Sequence, residues 1–206
     1  FYEWTALPND AFDHYLIALR LKEPAAIERL IALAPGLYRD ADLAKVLADV
    51  GKLFDRKKHA PFLARLEASI GNFEQADAYY QSLIREPGAG TPLLKEYARM
   101  LLDLAHYDRA LPVLLRIQRA QPGDVATLGE LAECYFRLGD YAKSLTHYQQ
   151  VVQRAPEKTT VEGFLTLAES MGQLGVAADG LELWLGRNPQ PTSKDYQRLA
   201  YFHGVA

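Results

Sequence analysis

The residues with chemical potential are scattered along this chain. Five histidines, His14, His59, His106, His147 and His203, stand singly. None has a cysteine, histidine or carboxylate partner at metal-ligand spacing. His106 falls in a turn between two expected helices and reads as a surface histidine. The one cysteine, Cys134, sits among Ala132, Tyr135 and Phe136. A thiol nucleophile needs a base beside it, so this neighbourhood reads as packing. Gly88-Ala89-Gly90 follows Pro87 without a Lys-Ser/Thr pair after it, which makes it a loop and not a phosphate cradle. Asp108 and Asp140 fall at turns, where local hydrogen bonding accounts for them. Tyrosines interleaved with arginine can stack single-stranded nucleic acid, but Tyr79, Tyr80, Tyr107, Tyr141 and Tyr148 fall where packing is expected. No catalytic residue, metal or cofactor is expected.

Composition gives the setting. Hydrophobic residues make up 49% and charged residues 24% of 206, ordinary for a folded domain. Alanine and leucine dominate over valine and isoleucine, which favours helix over strand. A formal net charge of −3 gives no general attraction to nucleic acid or anionic lipid. No apolar run approaches the roughly 20 residues needed to span a bilayer. With one cysteine no intrachain disulfide forms, which suits the cytosol or the periplasm equally. The chain opens at Phe1 without a methionine and closes inside an expected helix, so a piece of a longer protein is expected.

A repeat organises the sequence. Leu128, Leu131, Ala132 and Tyr135 are followed by Gly139-Asp140-Tyr141, then Ser144, Tyr148 and Pro156. Stepping back gives Leu94, Tyr97, Ala98 and Leu101, then Ala105-His106-Tyr107, Ala110, Leu114 and Pro122. Another step gives Leu63-Ala64, Gly71-Asn72-Phe73, Ala76, Tyr80 and Pro87, and forward come Leu167-Ala168, Gly175-Val176-Ala177, Gly180, Trp184 and Pro189. Apolar residues recur at three- and four-residue spacing within each half-unit, as on one face of a helix. Gly139 stops the first helix. The second is expected to bury Tyr141, Leu145, Tyr148 and Val152 before Pro156 ends it. Neither stripe can be buried alone, so units must stack.

This pattern resembles the tetratricopeptide repeat family, whose unit is about 34 residues with small, aromatic and proline positions in this order. The resemblance is clearest over 57–192 and implies an all-α, right-handed superhelical solenoid of antiparallel helix pairs. The expected organisation is degenerate helical repeats at 1–56, four repeats at 57–192, and the first helix of a further repeat at 193–206. Before residue 57, helical stripes run over about 10–21, 24–34 and 39–54. The preferred pairing joins 24–34 with 39–54; an alternative joins 10–21 with 24–34. At the other end Thr192-Ser193 caps a helix carrying Tyr196, Leu199, Ala200 and Phe202.

The resemblance further implies a concave groove lined by the first helix of each unit. The stripe opposite the packing residues then faces the groove. It contains Lys58, Pro61, Arg65 and Ser69; Lys95, Arg99, Leu102 and Asp103; Gly129, Glu133, Phe136 and Arg137; and Glu162, Leu165, Glu169 and Gln173. Lys58, Arg65, Lys95, Arg99, Glu133, Phe136, Arg137 and Glu169 are the expected partner-binding residues. The four cations read as a basic half-groove suited to a partner's carboxylates. The expected function is a non-catalytic scaffold for a protein partner, in its narrowest form within a bacterial envelope exopolysaccharide-export assembly, with the periplasm favoured. Carbohydrate binding in such a system and a cytosolic co-chaperone adaptor are the alternatives. The family's chaperone-tail clamp is incomplete, since Gly129, Glu130 and Glu133 stand where it requires asparagine and basic residues.

Overall fold

The computed structural model describes residues 7–23, 25–49, 55, 57–188 and 190–205. Within them the regular elements are twelve α-helices. These are α1 Pro8–Arg20, α2 Ala25–Leu37, α3 Asp40–Asp49, α4 Ala60–Ser69, α5 Phe73–Arg85 and α6 Thr91–Asp103. They continue as α7 Tyr107–Ala120, α8 Val125–Arg137, α9 Tyr141–Arg154, α10 Lys158–Ser170, α11 Leu174–Leu185 and α12 Ser193–Val205. Pro24, Val50, Phe54, Arg56 and Pro189, which punctuate or extend the expected pattern, lie outside the described residues. The chain divides between Leu93 and Leu94, inside α6, into two compact units.

The links within helix pairs share one geometry. Gly71, Gly139 and Gly172 adopt positive φ (81°, 81° and 69°), and Ala105 takes the same place with φ 56°. At Gly139 the amide donates to the Phe136 carbonyl (3.0 Å), and the Asp140 amide reaches the Tyr135 carbonyl (2.8 Å). This is the Schellman arrangement, which satisfies carbonyls left over at the end of a helix. Asp140 then caps α9, its carboxylate accepting from the Lys143 amide (3.3 Å).

In the first unit α1 closes at Lys22 (φ 67°) with the same pair of bonds, from the Lys22 amide to the Leu19 carbonyl (2.9 Å) and from the Glu23 amide to the Ala18 carbonyl (3.0 Å). That short link turns α1 back along α2, and among the first three helices these two pack most closely, as in the alternative pairing. The pairing of α2 with α3 is the looser one, with α3 also touching α1 and α4. Phe12, Leu19, Leu30, Leu43 and Val46 form a buried core continued by Leu63 and Leu66 of α4. The α4–α5 pair closes over Ala64 and Ala76, both fully buried.

The second unit shows the repeat grammar most clearly. The α8–α9 pair buries Leu128, Leu131, Ala132 and Cys134 against Ser144 and Leu145. Ser144, in the small-residue position of α9, is fully buried and donates its hydroxyl proton to the Ala132 carbonyl (2.8 Å). The next pair joins α10 to α11 around Phe164, Leu165, Leu181 and Trp184. The expected turn at Gly175 and small position at Gly180 are corrected by three residues: Gly172 makes the turn, Gly175 lies inside α11, and the fully buried Ala177 takes the place of Ser144. Gly180, one turn further on, lies against the Phe164 ring, where a Cβ would stand 2.2 Å from Phe164 Cε1. α12 packs on α11 and buries Phe202. Its first turn is fixed by Asp195, whose carboxylate accepts from both the amide and the hydroxyl of Thr192 (2.7 Å each).

Candidate functional site

A groove of about 520 Å³ opens in the second unit between α8 and α10. Glu133 and Phe136 line it from α8, Tyr148 from α9, and Glu162, Gly163, Thr166, Leu167 and Ser170 from α10. Helical periodicity places them there. On α8 the face carrying Leu128, Leu131, Ala132 and Tyr135 is buried, which leaves positions 133 and 136 on the opposite side. On α10, Val161, Phe164, Leu165 and Ala168 are buried, while Glu162, Gly163 and Thr166 are exposed beside the groove.

The floor is apolar and the polar rim is acidic. Phe136 is 40% exposed. Tyr148, half-buried, donates its hydroxyl proton to Glu133 Oε2 at 3.3 Å. Burial first, and the Glu133 charge second, push the Tyr148 phenol up to about 12. Glu133 Oε1 also accepts from Arg137 Nε at 2.6 Å. On the α10 side, Arg198 of α12 serves two carboxylates, Glu162 at 2.6 Å and Glu169 at 3.0 Å. Burial opposes the Arg198 charge, but hydrogen bonds to Glu169 and Glu162 outweigh it and hold its pKa above the ordinary value. The hydroxyl protons of Thr166 and Ser170 go to carbonyls of their own helix, Glu162 (2.9 Å) and Leu167 (2.7 Å).

Glu133 and Phe136 are thus brought to one groove, with Arg137 bonded to Glu133 at its edge and Glu169 tied to Arg198 beside it. Of the four expected groove cations, two are engaged in ion pairs. Lys95 is committed to Asp124 at 2.8 Å, and Lys58 to Glu28 at 2.6 Å. Each cation has found a carboxylate on another helix or the loop leading into it. In the first unit Arg65 lines a cavity of about 270 Å³ with Ile31, Asp40, Phe62, Leu66 and Ser69. Arg99 is exposed, and its charge acts on Glu130. Leu165, expected in the groove stripe, is 1% exposed and belongs to the α10–α11 core. Tyr141, expected in the core, is 49% exposed, its ring set edge-on to Phe136 at 5.6 Å. Tyr148, Gly163, Thr166, Ser170 and Arg198 were not legible as site residues. Tyr148 reads as core, and Arg198 reaches the site from 36 residues beyond Glu162.

Cys134 is fully buried, its thiol pushed up to about 12 by burial and then by the charges of Glu130 and Glu133. Among the described residues no group of three or more histidine, cysteine or acidic side chains is placed to hold a metal ion. No helix among them is long and apolar enough to cross a membrane.

Residues 125–158, which form α8 and α9 and reach the first residue of α10, match the tetratricopeptide repeat family model. No curated protein matches the chain. Among solved structures it is similar to MamA AMB-1, at 16% identity over 92% of this chain and 96% of that one, with a TM-score of 0.57. MamA from Desulfovibrio magneticus RS-1 is 16% identical over 87% and 93%, with a TM-score of 0.53. PilF of Pseudomonas aeruginosa is 13% identical over 95% and 90%, with a TM-score of 0.51. At these identities the likeness speaks for the fold. The chain is therefore an all-α protein of the helical-solenoid, tetratricopeptide-like fold class, in which residues 125–158 match the model of a single tetratricopeptide repeat.

Proposed function

We propose that this protein is a non-catalytic scaffold that holds a segment of a partner protein in the groove between α8 and α10. The observation that carries this reading is an open, apolar-floored groove on the face of the first helices, with the 40%-exposed Phe136 in it. Large apolar side chains left open in a concave site mark places where another molecule is bound. Stacked helix pairs also suit this task, since each unit adds a short stretch of rigid wall.

The test places a photo-reactive benzophenone side chain at Thr166, inside the groove, and separately at the exposed Thr146 of α9. Crosslinking to a defined protein from Thr166 but not Thr146, lost when Phe136→Asp is added, supports the reading. Equal capture from both positions, or capture indifferent to Phe136→Asp, refutes the groove as the site. The identity of the captured protein decides the narrower proposal of a polysaccharide-export assembly, which only a component of such a machine supports. Retention of the protein on a sugar polymer without any protein captured would favour the carbohydrate alternative.

A further inference from the structure

We infer that the α8–α10 groove selects a cationic, apolar segment, in which a lysine or arginine stands beside a large apolar side chain. The inference rests on the groove's being a protein-binding site and names the chemistry of its occupant.

Three features of the lining carry it. The first is hydrogen-bond polarity. The groove is lined by two carboxylates, Glu133 and Glu162, and by no lysine or arginine. Its hydroxyl protons are already used: Tyr148 donates to Glu133, Thr166 to the Glu162 carbonyl and Ser170 to the Leu167 carbonyl. The side chains therefore offer an incoming molecule lone pairs and no side-chain proton, so the complementary ligand group is a donor. Ammonium and guanidinium groups are donors without acceptors, and their hydrogen bonds to carboxylates are the stronger kind.

The second is charge. On the α10 side Glu162 and Glu169 share one guanidinium, Arg198, so this ion-paired cluster holds two negative charges to one positive. On the α8 side the Glu133–Arg137 pair is partly exposed, with side chains 38% and 53% accessible. Exposed pairs of this kind are weak, so an incoming cation can share Glu133 without a large penalty.

The third is the apolar surface. Phe136 and Leu167 line the groove, and the Phe136 ring continues to Tyr141 outside it. Leu138, 44% exposed, follows at the same turn. Gly163, next to Glu162 on α10, also lines the groove, and a Cβ there would meet nothing within 4 Å. A glycine in a helix interior is disfavoured relative to alanine, and no packing in the chain requires one here. Its bare backbone leaves room for a ligand's main chain to lie close to α10.

The experiment uses fluorescence anisotropy with two labelled octapeptides, one alternating lysine with phenylalanine and leucine, the other with glutamate replacing each lysine. The lysine peptide should bind at least roughly tenfold more tightly, and its affinity should fall as salt is raised. A Glu133→Gln/Glu162→Gln variant, isosteric and expected to melt near the parent, should lose roughly tenfold of that affinity. Glu74→Gln, on an exposed face of the first unit, should lose none. Equal or tighter binding of the glutamate peptide overturns the inference, as does lysine-peptide affinity unchanged in the double variant. Failure of both peptides overturns it too. If crosslinking from Thr166 still captures a protein in that case, the groove remains a protein site with a different specificity. If that crosslinking also fails, the scaffold reading falls with it.

Discussion

Gly180 and Gly163 stand in neighbouring helices of the same unit, and one substitution at each separates backbone preference from packing. Glycine to alanine inside a helix is worth about 1 kcal/mol in favour of alanine. At Gly163 nothing lies within 4 Å of the new methyl group, so that gain should appear nearly whole. At Gly180 the methyl would stand 2.2 Å from Phe164 Cε1, 2.9 Å from Cδ1 and 3.0 Å from Cζ. Phe164 is fully buried among Leu145, Val152, Val161 and Leu181, so its ring must move by more than an ångström into occupied space. Overpacking of this kind costs about 1–3 kcal/mol, and the severity of the clash puts it near the upper end. Gly163→Ala should therefore stabilise by about 1 kcal/mol and Gly180→Ala destabilise by about 2 kcal/mol. Propensity cancels in the difference, which leaves about 3 kcal/mol of steric cost. For a chain of this size that separates the two melting temperatures by about 6–12 °C. Thermal melts followed by far-UV circular dichroism measure it. If Gly180→Ala melts with Gly163→Ala, the Phe164 ring does not lie against α11 at this crossing, and the register assigned to this pair is wrong.

Ala105 holds a left-handed conformation that costs an L-residue about 1–2 kcal/mol. Ala105→Gly should raise the melting temperature by about 2–4 °C, and an unchanged or lower melt would count against that turn. Burial, then the Asp124 charge, raises the Glu130 pKa above 4.5, against the smaller opposing effects of Lys95 and Arg99. The folded chain thus holds that proton more tightly than the unfolded chain, so ionised Glu130 costs stability at neutral pH and the cost disappears as pH falls. Glu130→Gln should therefore melt above the parent at about pH 7 and with it at about pH 4; a constant offset would refute the assignment. Cys134, buried with its thiol at about 12, should react with an aromatic disulfide reagent at about pH 8 roughly a thousandfold more slowly in the folded chain than in urea. Prompt labelling without denaturant would show that α8 opens or that Cys134 is not in the core.

The helix pairs were legible because their causes are local. Leu128, Leu131, Ala132 and Tyr135 lie on one helical face whatever they pack against, and Gly139 ends the helix wherever it occurs. The small positions Ala76, Ala110 and Ser144 could be found by their spacing, but in α11 the spacing ran three residues late: Gly172 rather than Gly175 makes the turn, and Ala177 rather than Gly180 takes the place of Ser144. The site was only half legible. Glu133 and Phe136 follow from the face opposite the packing stripe, and the structure places them in one groove. Leu165 belongs to the core while the next residue, Thr166, lines the groove, because one residue of helix rotation, about 100°, separates a groove residue from a core residue.

The charges were the least legible feature, because a side chain's partner is set by distance in space. Lys95 reads as a groove cation until Asp124 is found 2.8 Å away, and Lys58 likewise until Glu28 is found at 2.6 Å. Arg198, which draws Glu162 and Glu169 together, lies on another helix and carries no mark in the sequence. Periodicity and turn residues thus determined the helices, their order and the small contacts that seat one on another, since these depend on neighbours three or four residues apart. Only the tertiary structure decided which charges pair, because ion pairs form between helices brought together by burial of their apolar faces, and that burial is indifferent to the charges it carries along.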